Sequence, residues 1–140
     1  MDAIYTAEAL STGAGRNGHV STTSGHVDLD MAIPKEMGGS GNGANPEELF
    51  AAGYAACFHS ALQSVARTQK IVIANSSVGS QVHIYPNDEG GFVLGVDLEV
   101  VLPELDHEQA QALADAAHKV CPYSNATRGN IVVNITVSDD

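Results

Sequence analysis

Val27, Leu29, Met31 and Ile33 alternate with Asp28, Asp30 and Ala32, the two-residue period of a strand with one buried face. Residues 4–10 and 19–23 are weaker strand candidates, with Ser24-Gly25 as the turn after the second. Pro34 closes this block. Residues 35–44, KEMGGSGNGA, hold four glycines in ten positions and read as a flexible surface loop. A helix follows with a marked start: Asn45 suits the N-cap, Pro46 the first helical position, and Glu48 completes a capping box. Phe50, Tyr54, Cys57, Ala61 and Val65 recur at intervals of three and four, while Ala51, Ala52, Ala55, Ala56 and Phe58 fill the other sides. A helix apolar nearly all round is expected at the centre of the fold or of a dimer. It turns polar over 63–70, where it should surface and stop.

A second β block begins with residues 81–85. It continues with Phe92, Leu94, Val96, Leu98 and Val100, which alternate with Gly95, Asp97 and Glu99. Residues 87–91, NDEGG, connect the two as a hairpin. Asp106 then caps a second helix, with Gln109 at the capping-box position. Its stripe comprises Ala110, Leu113, Ala114, Ala117, Val120 and Cys121, and Pro122 is expected to end it. Residues 131–137 form the closing strand. The order β-β-β, helix, β-β, helix, β predicts an α+β fold with mainly antiparallel sheet, as a single domain over 1–140.

Composition narrows the function classes. The 140 residues include 44% hydrophobic and 16% charged positions, which fits a packed core rather than a disordered chain. Six Lys+Arg against 17 Asp+Glu give a net charge of -11, which disfavours nucleic acid and anionic membrane surfaces as partners. The longest apolar stretch, residues 49–58, is far short of the roughly 20 needed to span a bilayer. The opening MDAIYTAEAL has an acid at position 2 and no basic region, so no signal peptide is expected and the cytoplasm is the expected compartment. There a thiol pair stays reduced unless chemistry oxidises it.

Two cysteines 64 residues apart are the most informative feature. Both fall on apolar helical stripes, where a free cysteine serves as a small buried hydrophobe. A chemical role asks for more. Burial raises the pKa of a mid-helix thiol such as Cys57 unless a cation stands beside it, and a helix C-terminus disfavours a thiolate at Cys121. Candidate cations are few: Arg16, Lys35, Arg67, Lys70, Lys119 and Arg128. Arg67, Lys70 and Lys119 fall on polar helix faces, whereas Arg16 and Arg128 sit in glycine-flanked turns. A zinc site from Cys57, His59, His118 and Cys121 is a third reading, weakened because residues two apart on a helix point in nearly opposite directions.

Residues 45–58, NPEELFAAGYAACF, resemble the first cysteine motif of the organic hydroperoxide resistance (Ohr) proteins, members of the OsmC/Ohr group of thiol peroxidases. Residues 120–130, VCPYSNATRGN, resemble the second motif and favour the Ohr branch over the OsmC branch. The turn 15–18 and the loop 34–43 fit as well, and Glu48 stands where the family more often has Gln. The resemblance implies an intertwined homodimer of α+β chains, with antiparallel sheets around two long central helices per chain and active sites at the subunit interface. It implies that Cys57 is the peroxidatic and Cys121 the resolving cysteine. It further implies that Arg16, oriented by Glu47, stabilises the Cys57 thiolate and the leaving alkoxide. The expected product on the enzyme is a Cys57–Cys121 disulfide, recycled by a dithiol such as a lipoylated protein, with no metal or organic cofactor. Phe50, Tyr54, Phe58 and Met37 are the candidate contacts to an alkyl or fatty-acid hydroperoxide.

Overall fold

The computed structural model describes residues 1–138, which fall into two compact units, Met1–Leu49 and Phe50 onward. Among the described residues no helix is long and apolar enough to cross a membrane.

In the first unit, β1 (Ala9–Thr12), β2 (His19–Thr22) and β3 (Asp28–Asp30) form an antiparallel sheet in that order. The Gly25 N–H bonds to the Thr22 carbonyl at 2.9 Å, closing the turn expected at Ser24-Gly25. The alternation over 27–33 does not become one long strand. β3 stops at Asp30, Leu29 is 37% exposed, and the buried residues Met31 and Ala32 lie beyond it. After Asp30 the backbone changes partner: Ala44 N–H bonds to the Asp30 carbonyl and Ala32 N–H to the Ala44 carbonyl.

That exchange also corrects the reading of residues 35–44 as a slack loop. Lys35–Met37 is a 3₁₀ turn, and the N–H groups of Gly39 and Gly41 bond to the carbonyls of Pro34 and Ile33 at 3.0 and 2.9 Å. A β-carbon on Gly39 would lie 2.1 Å from the Ile33 carbonyl oxygen, so the glycine is required by close backbone approach. The loop is folded back on itself.

Helix α1 (Pro46–Thr68) starts as its sequence dictates, with Asn45 Oδ1 accepting the Glu48 N–H at 2.8 Å. From Phe50 on, its buried face is Tyr54, Phe58, Ala61, Leu62 and Ala66, while Ala52 and Ala56 are exposed. The nearly all-round apolar helix thus resolves, in the single chain, into one core face and one open alanine face. It ends in paired bonds from Ile71 N–H to the Ala66 carbonyl and from Lys70 N–H to the Arg67 carbonyl. Lys70 takes φ 58 to make this close, a left-handed cap without glycine.

The second unit continues with β4 (Ser77–Pro86) and β5 (Phe92–Val101), an antiparallel hairpin paired from Ser77↔Val101 to Pro86↔Phe92. Asn87 Oδ1 accepts the N–H groups of Glu89 and Gly91 and so shapes the predicted connection. α2 (His107–Val120) is capped by Asp106, which accepts the Gln109 N–H at 2.8 Å. Its buried stripe is Ala110, Leu113, Ala114 and Ala117, whereas Val120 is 53% exposed and leaves the stripe.

Pro122 does not simply stop the chain. It opens a third, short helix, α3 (Pro122–Thr127), because proline at the first helical position costs nothing there. Cys121 is therefore the cap shared by two helices rather than part of the last turn of one. The α2–α3 crossover returns the chain in the direction of β5, so β6 (Val133–Ser138) pairs with it in parallel. The sheet buries Val96, Leu98 and Val100 against Tyr54, Phe58 and Leu62 of α1 and Leu113 of α2. Each large apolar side chain in this core contributes about 1.5–3 kcal/mol by leaving water.

Candidate active site

The crossover brings the two cysteines together. Cys57 and Cys121 are both reduced, and the Cys121 thiol donates to Cys57 Sγ at 3.5 Å. Cys121 has no exposure at all, and Cys57 is half-buried. Burial pushes the Cys57 thiol above its ordinary pKa, and the neighbouring Cys121 adds to this. The backbone N–H of Tyr123 opposes them by donating to Cys57 sulfur. A sulfur held against a second sulfur and a backbone N–H is set up for disulfide chemistry, given a cation to favour the thiolate.

Tyr123 owes its place to Gly53, one turn before Cys57 on α1. Without a side chain at that position, the Tyr123 ring stacks on Phe50 with centroids 5.8 Å apart and tilts against Tyr54 at 5.6 Å. Phe50, Pro122 and Tyr123 also line an open apolar cavity of about 660 Å³, together with Phe92, Leu94 and Ile131.

Behind the cysteines runs a row of polar groups. Tyr54 Oη lies 2.8 Å from Ser124 Oγ and 3.1 Å from Thr127 Oγ1, and His118 Nδ1 lies 2.8 Å from Ser124 Oγ. Arg128 bonds to Asn125 Oδ1 at 2.8 Å and to the His118 carbonyl, so it ties α3 to the end of α2.

In the first unit, Arg16 sits on a 3₁₀ turn, Gly15–Asn17, between β1 and β2. Its guanidinium grips Glu47, with Nη1 donating to Oε2 at 2.9 Å and Nη2 to Oε1 at 2.7 Å. This two-pronged geometry fits the planar fork of arginine and no other side chain. The pair holds the Glu47 carboxyl below the ordinary range and raises Arg16 further, in each case chiefly through the hydrogen bond. Met37 stands on the other 3₁₀ turn of this unit, 42% exposed.

The match that decides the family covers most of the chain: residues 39–136 fit the model of the OsmC-like proteins. The chain belongs to the OsmC-like family. Within it, the chain sides with the organic hydroperoxide resistance proteins. It is 46% identical over 137 residues to one from Xanthomonas axonopodis pv. citri, covering 96% of this chain and 95% of that protein. It is 46% identical over 134 residues to OhrB of Bacillus subtilis, covering 95% and 97%. The crystal structure of an organic hydroperoxide resistance protein from Legionella pneumophila superposes with a TM-score of 0.94 at 52% identity, covering 98% of this chain and 99% of that one.

Not every residue picked from the OsmC-like motifs faces open space. Tyr54 and Phe58 have no exposure and belong to the core of the chain, whereas Phe50 reaches the cavity wall. The zinc reading finds no geometric support: among the described residues no three His, Cys, Asp or Glu side chains are grouped to hold a metal ion. His59 Nε2 is engaged by Ser76 at 2.9 Å instead. Sequence reasoning missed the parts played by Tyr123, Ser124 and Thr127. A glycine inside an alanine-rich helix, one turn from a cysteine, was the available signal for Tyr123. The hydroxyl row had none, because serine and threonine in a short segment read first as turn formers.

Proposed function

We propose that this chain is a cysteine-based peroxidase that reduces organic hydroperoxides to alcohols. The observation that carries the reading is the reduced Cys57–Cys121 pair at 3.5 Å. The Cys57 thiolate attacks the outer peroxide oxygen and breaks the O–O bond. The alkoxide departs and takes up a proton to become the alcohol, and Cys57 is left as a sulfenic acid. The Cys121 thiol then attacks that sulfur: the S–O bond breaks, the S–S bond forms, and the thiol proton leaves with the hydroxyl as water. A dithiol reductant, in this reading one carried on a lipoylated protein, returns two hydrogens and restores both thiols. The cycle balances on these groups without a metal or organic cofactor.

Cys57 as nucleophile needs a cation, and Arg16 is the candidate, aimed by Glu47 and also stabilising the departing alkoxide. Support comes from the two-pronged Arg16–Glu47 pair and from the position of Glu47 in the first turn of the helix that carries Cys57. The apolar cavity beside Tyr123, with Phe50 on its wall, suits an alkyl or fatty-acid chain better than hydrogen peroxide. Met37 is the other proposed contact to the substrate, while Tyr54 and Phe58, with no exposure, back that surface from the core rather than touch the peroxide. The exposed alanine face of α1 supports assembly as a homodimer, and the cytoplasm is the proposed compartment.

The test is a free-thiol count on reduced protein after one equivalent of cumene hydroperoxide, with hydrogen peroxide in parallel. Rapid loss of both thiols with the organic peroxide, abolished by Cys57→Ser, is the expected result. Two thiols surviving prolonged exposure would sink the reading.

A further inference from the structure

Three of the polar groups in the row behind the cysteines stand three residues from a cysteine along the chain. Tyr54 precedes Cys57 by three residues on α1, His118 precedes Cys121 by three on α2, and Ser124 follows it by three on α3. The Ser124 oxygen is the node, reached by Tyr54 at 2.8 Å and by His118 at 2.8 Å. Tyr54 and Ser124 have no exposure, and Thr127 has 5%, so these bonds form away from water, where losing one leaves a partner stranded. The bonds join α1, α2 and α3, the three helices on which the two sulfurs are mounted.

We propose that Tyr54, Ser124, Thr127 and His118 form a positioning network that holds Cys121 over Cys57 for the disulfide-forming step. This rests on the peroxidase reading above and assigns roles within it. Closing the disulfide takes the sulfurs from 3.5 Å to about 2.05 Å, and the Cys121 elbow must deliver that last movement along one line. The elbow has one residue, Cys121, between two helices, with backbone at φ -63 and ψ 123. Backbone bonds fix each side of it separately: Cys121 N–H to the Ala117 carbonyl and Asn125 N–H to the Cys121 carbonyl. Among the described residues, the Ser124 side chain alone ties the α2 side, through His118, and the α1 side, through Tyr54, to the same atom.

The protons fit one direction. Burial and the nearby Arg128 guanidinium keep the His118 imidazole below its ordinary pKa, against the weaker opposite pull of Asp115 on the same helix. The neutral imidazole that this favours carries its ring hydrogen on Nδ1 and donates it to Ser124 Oγ. Ser124 then donates to Tyr54, and Tyr54 to Thr127, which in turn donates to the Ser124 carbonyl at 3.2 Å. Every hydroxyl in the row has a donor and an acceptor. None of the four residues needs to touch the peroxide.

The experiment separates the two steps in Tyr54→Phe, His118→Ala and His118→Asn protein. In each, a single turnover with cumene hydroperoxide is followed first by peroxide loss and then by the lifetime of the Cys57 sulfenic acid, trapped with dimedone and counted by mass spectrometry. Tyr54→Phe keeps the ring and its packing but loses the hydroxyl. The expected result is peroxide loss at the parent rate, with disulfide formation slowed about tenfold in Tyr54→Phe and His118→Ala, the equivalent of one neutral hydrogen bond. His118→Asn, whose amide can replace Nδ1, should restore the disulfide rate. A residue that only stabilised the fold would not be rescued step by step in this way. Disulfide formation at the parent rate in both defective variants, or no rescue by His118→Asn, would overturn the network. If the parent protein itself keeps both thiols, the peroxidase reading has failed and the network falls with it.

Discussion

A β-carbon on Gly53 would stand 2.8 Å from the phenol oxygen of Tyr123 and 3.3 Å from two of its ring carbons. This contact explains a glycine that α1 would otherwise be better without. Alanine there is favoured by about 0.5–1 kcal/mol from helix propensity alone. The Gly53→Ala side chain must push Tyr123 outward, and with it the N–H that Tyr123 gives to Cys57. Calorimetry is expected to show no gain in melting temperature, and alkylation of Cys57 against pH should shift to higher pH. A rise of the order of 4 °C, as the propensity gain alone would give, would contradict the packing argument.

The elements with strong local signals were legible from residue order. Asn45 and Asp106 cap their helices as read, and the β4–β5 hairpin turns at Asn87. What the pattern could not tell was set by long-range contacts. Strand alternation through Met31 and Ile33 continues on paper, but Asp30 and Ala32 take their partners from Ala44. Pro122 signals both a helix end and a helix start, and only the α2–α3 crossover decides that it does both. Cys57 and Cys121 stood out as the two cysteines on apolar helical stripes, but their pairing, like that of Arg16 with Glu47, came from motif resemblance, since neither spacing nor charge links positions 57 and 121 or 16 and 47. The Ser124 node was invisible because its partners lie 70 and 6 residues away.

Phe50 and Phe58 share a helix and a residue type but not a setting. Phe58 has no exposure and sits in the core with Leu62, so Phe58→Ala should cost about 3–5 kcal/mol in chemical denaturation. Phe50 is only half-buried and lines the cavity beside Tyr123. Phe50→Ala should cost less stability and raise KM for cumene hydroperoxide more than for hydrogen peroxide. Equal effects on both peroxides would remove the cavity as the seat of the alkyl chain.

Gly39 tests the loop. A methyl at this position meets the Ile33 carbonyl oxygen at 2.1 Å and its β-carbon at 2.5 Å, both on or next to the backbone, so neither can step aside. Gly39→Ala should therefore open the turn closed by the Pro34 and Ile33 carbonyls. Faster amide exchange at Gly39 and Gly41, measured by hydrogen–deuterium exchange, is the expected result. At Gly79, where nothing lies within 4 Å, the same substitution should leave exchange unchanged. Unchanged exchange in Gly39→Ala would restore the slack-loop reading.

Arg16 and Glu47 offer the sharpest separation of stability from chemistry. The pair is partly open to water, with side-chain exposures of 35% and 15%, so its worth to folding is about 1 kcal/mol or less. Glu47 is held below its ordinary range by Arg16, so this stabilisation is present above the unfolded carboxyl pKa of about 4.3 and is lost as pH falls through the lower folded value. The stability gap between the parent and Glu47→Gln should accordingly be small at pH 7 and close on acidification. The reaction should respond far more strongly. If Arg16 supplies the cation that the buried Cys57 lacks, Arg16→Ala lowers the peroxide rate on the order of 10²-fold. In a Cys121→Ser background it also moves the pH midpoint of Cys57 alkylation upward, because burial is then unopposed by that charge. Arg16→Lys keeps the charge but cannot hold both carboxylate oxygens, and should recover only part of the rate. An alkylation midpoint unchanged by Arg16→Ala would show that the guanidinium does not act on Cys57, and the activating group would have to be sought among the helix and backbone dipoles around Tyr123.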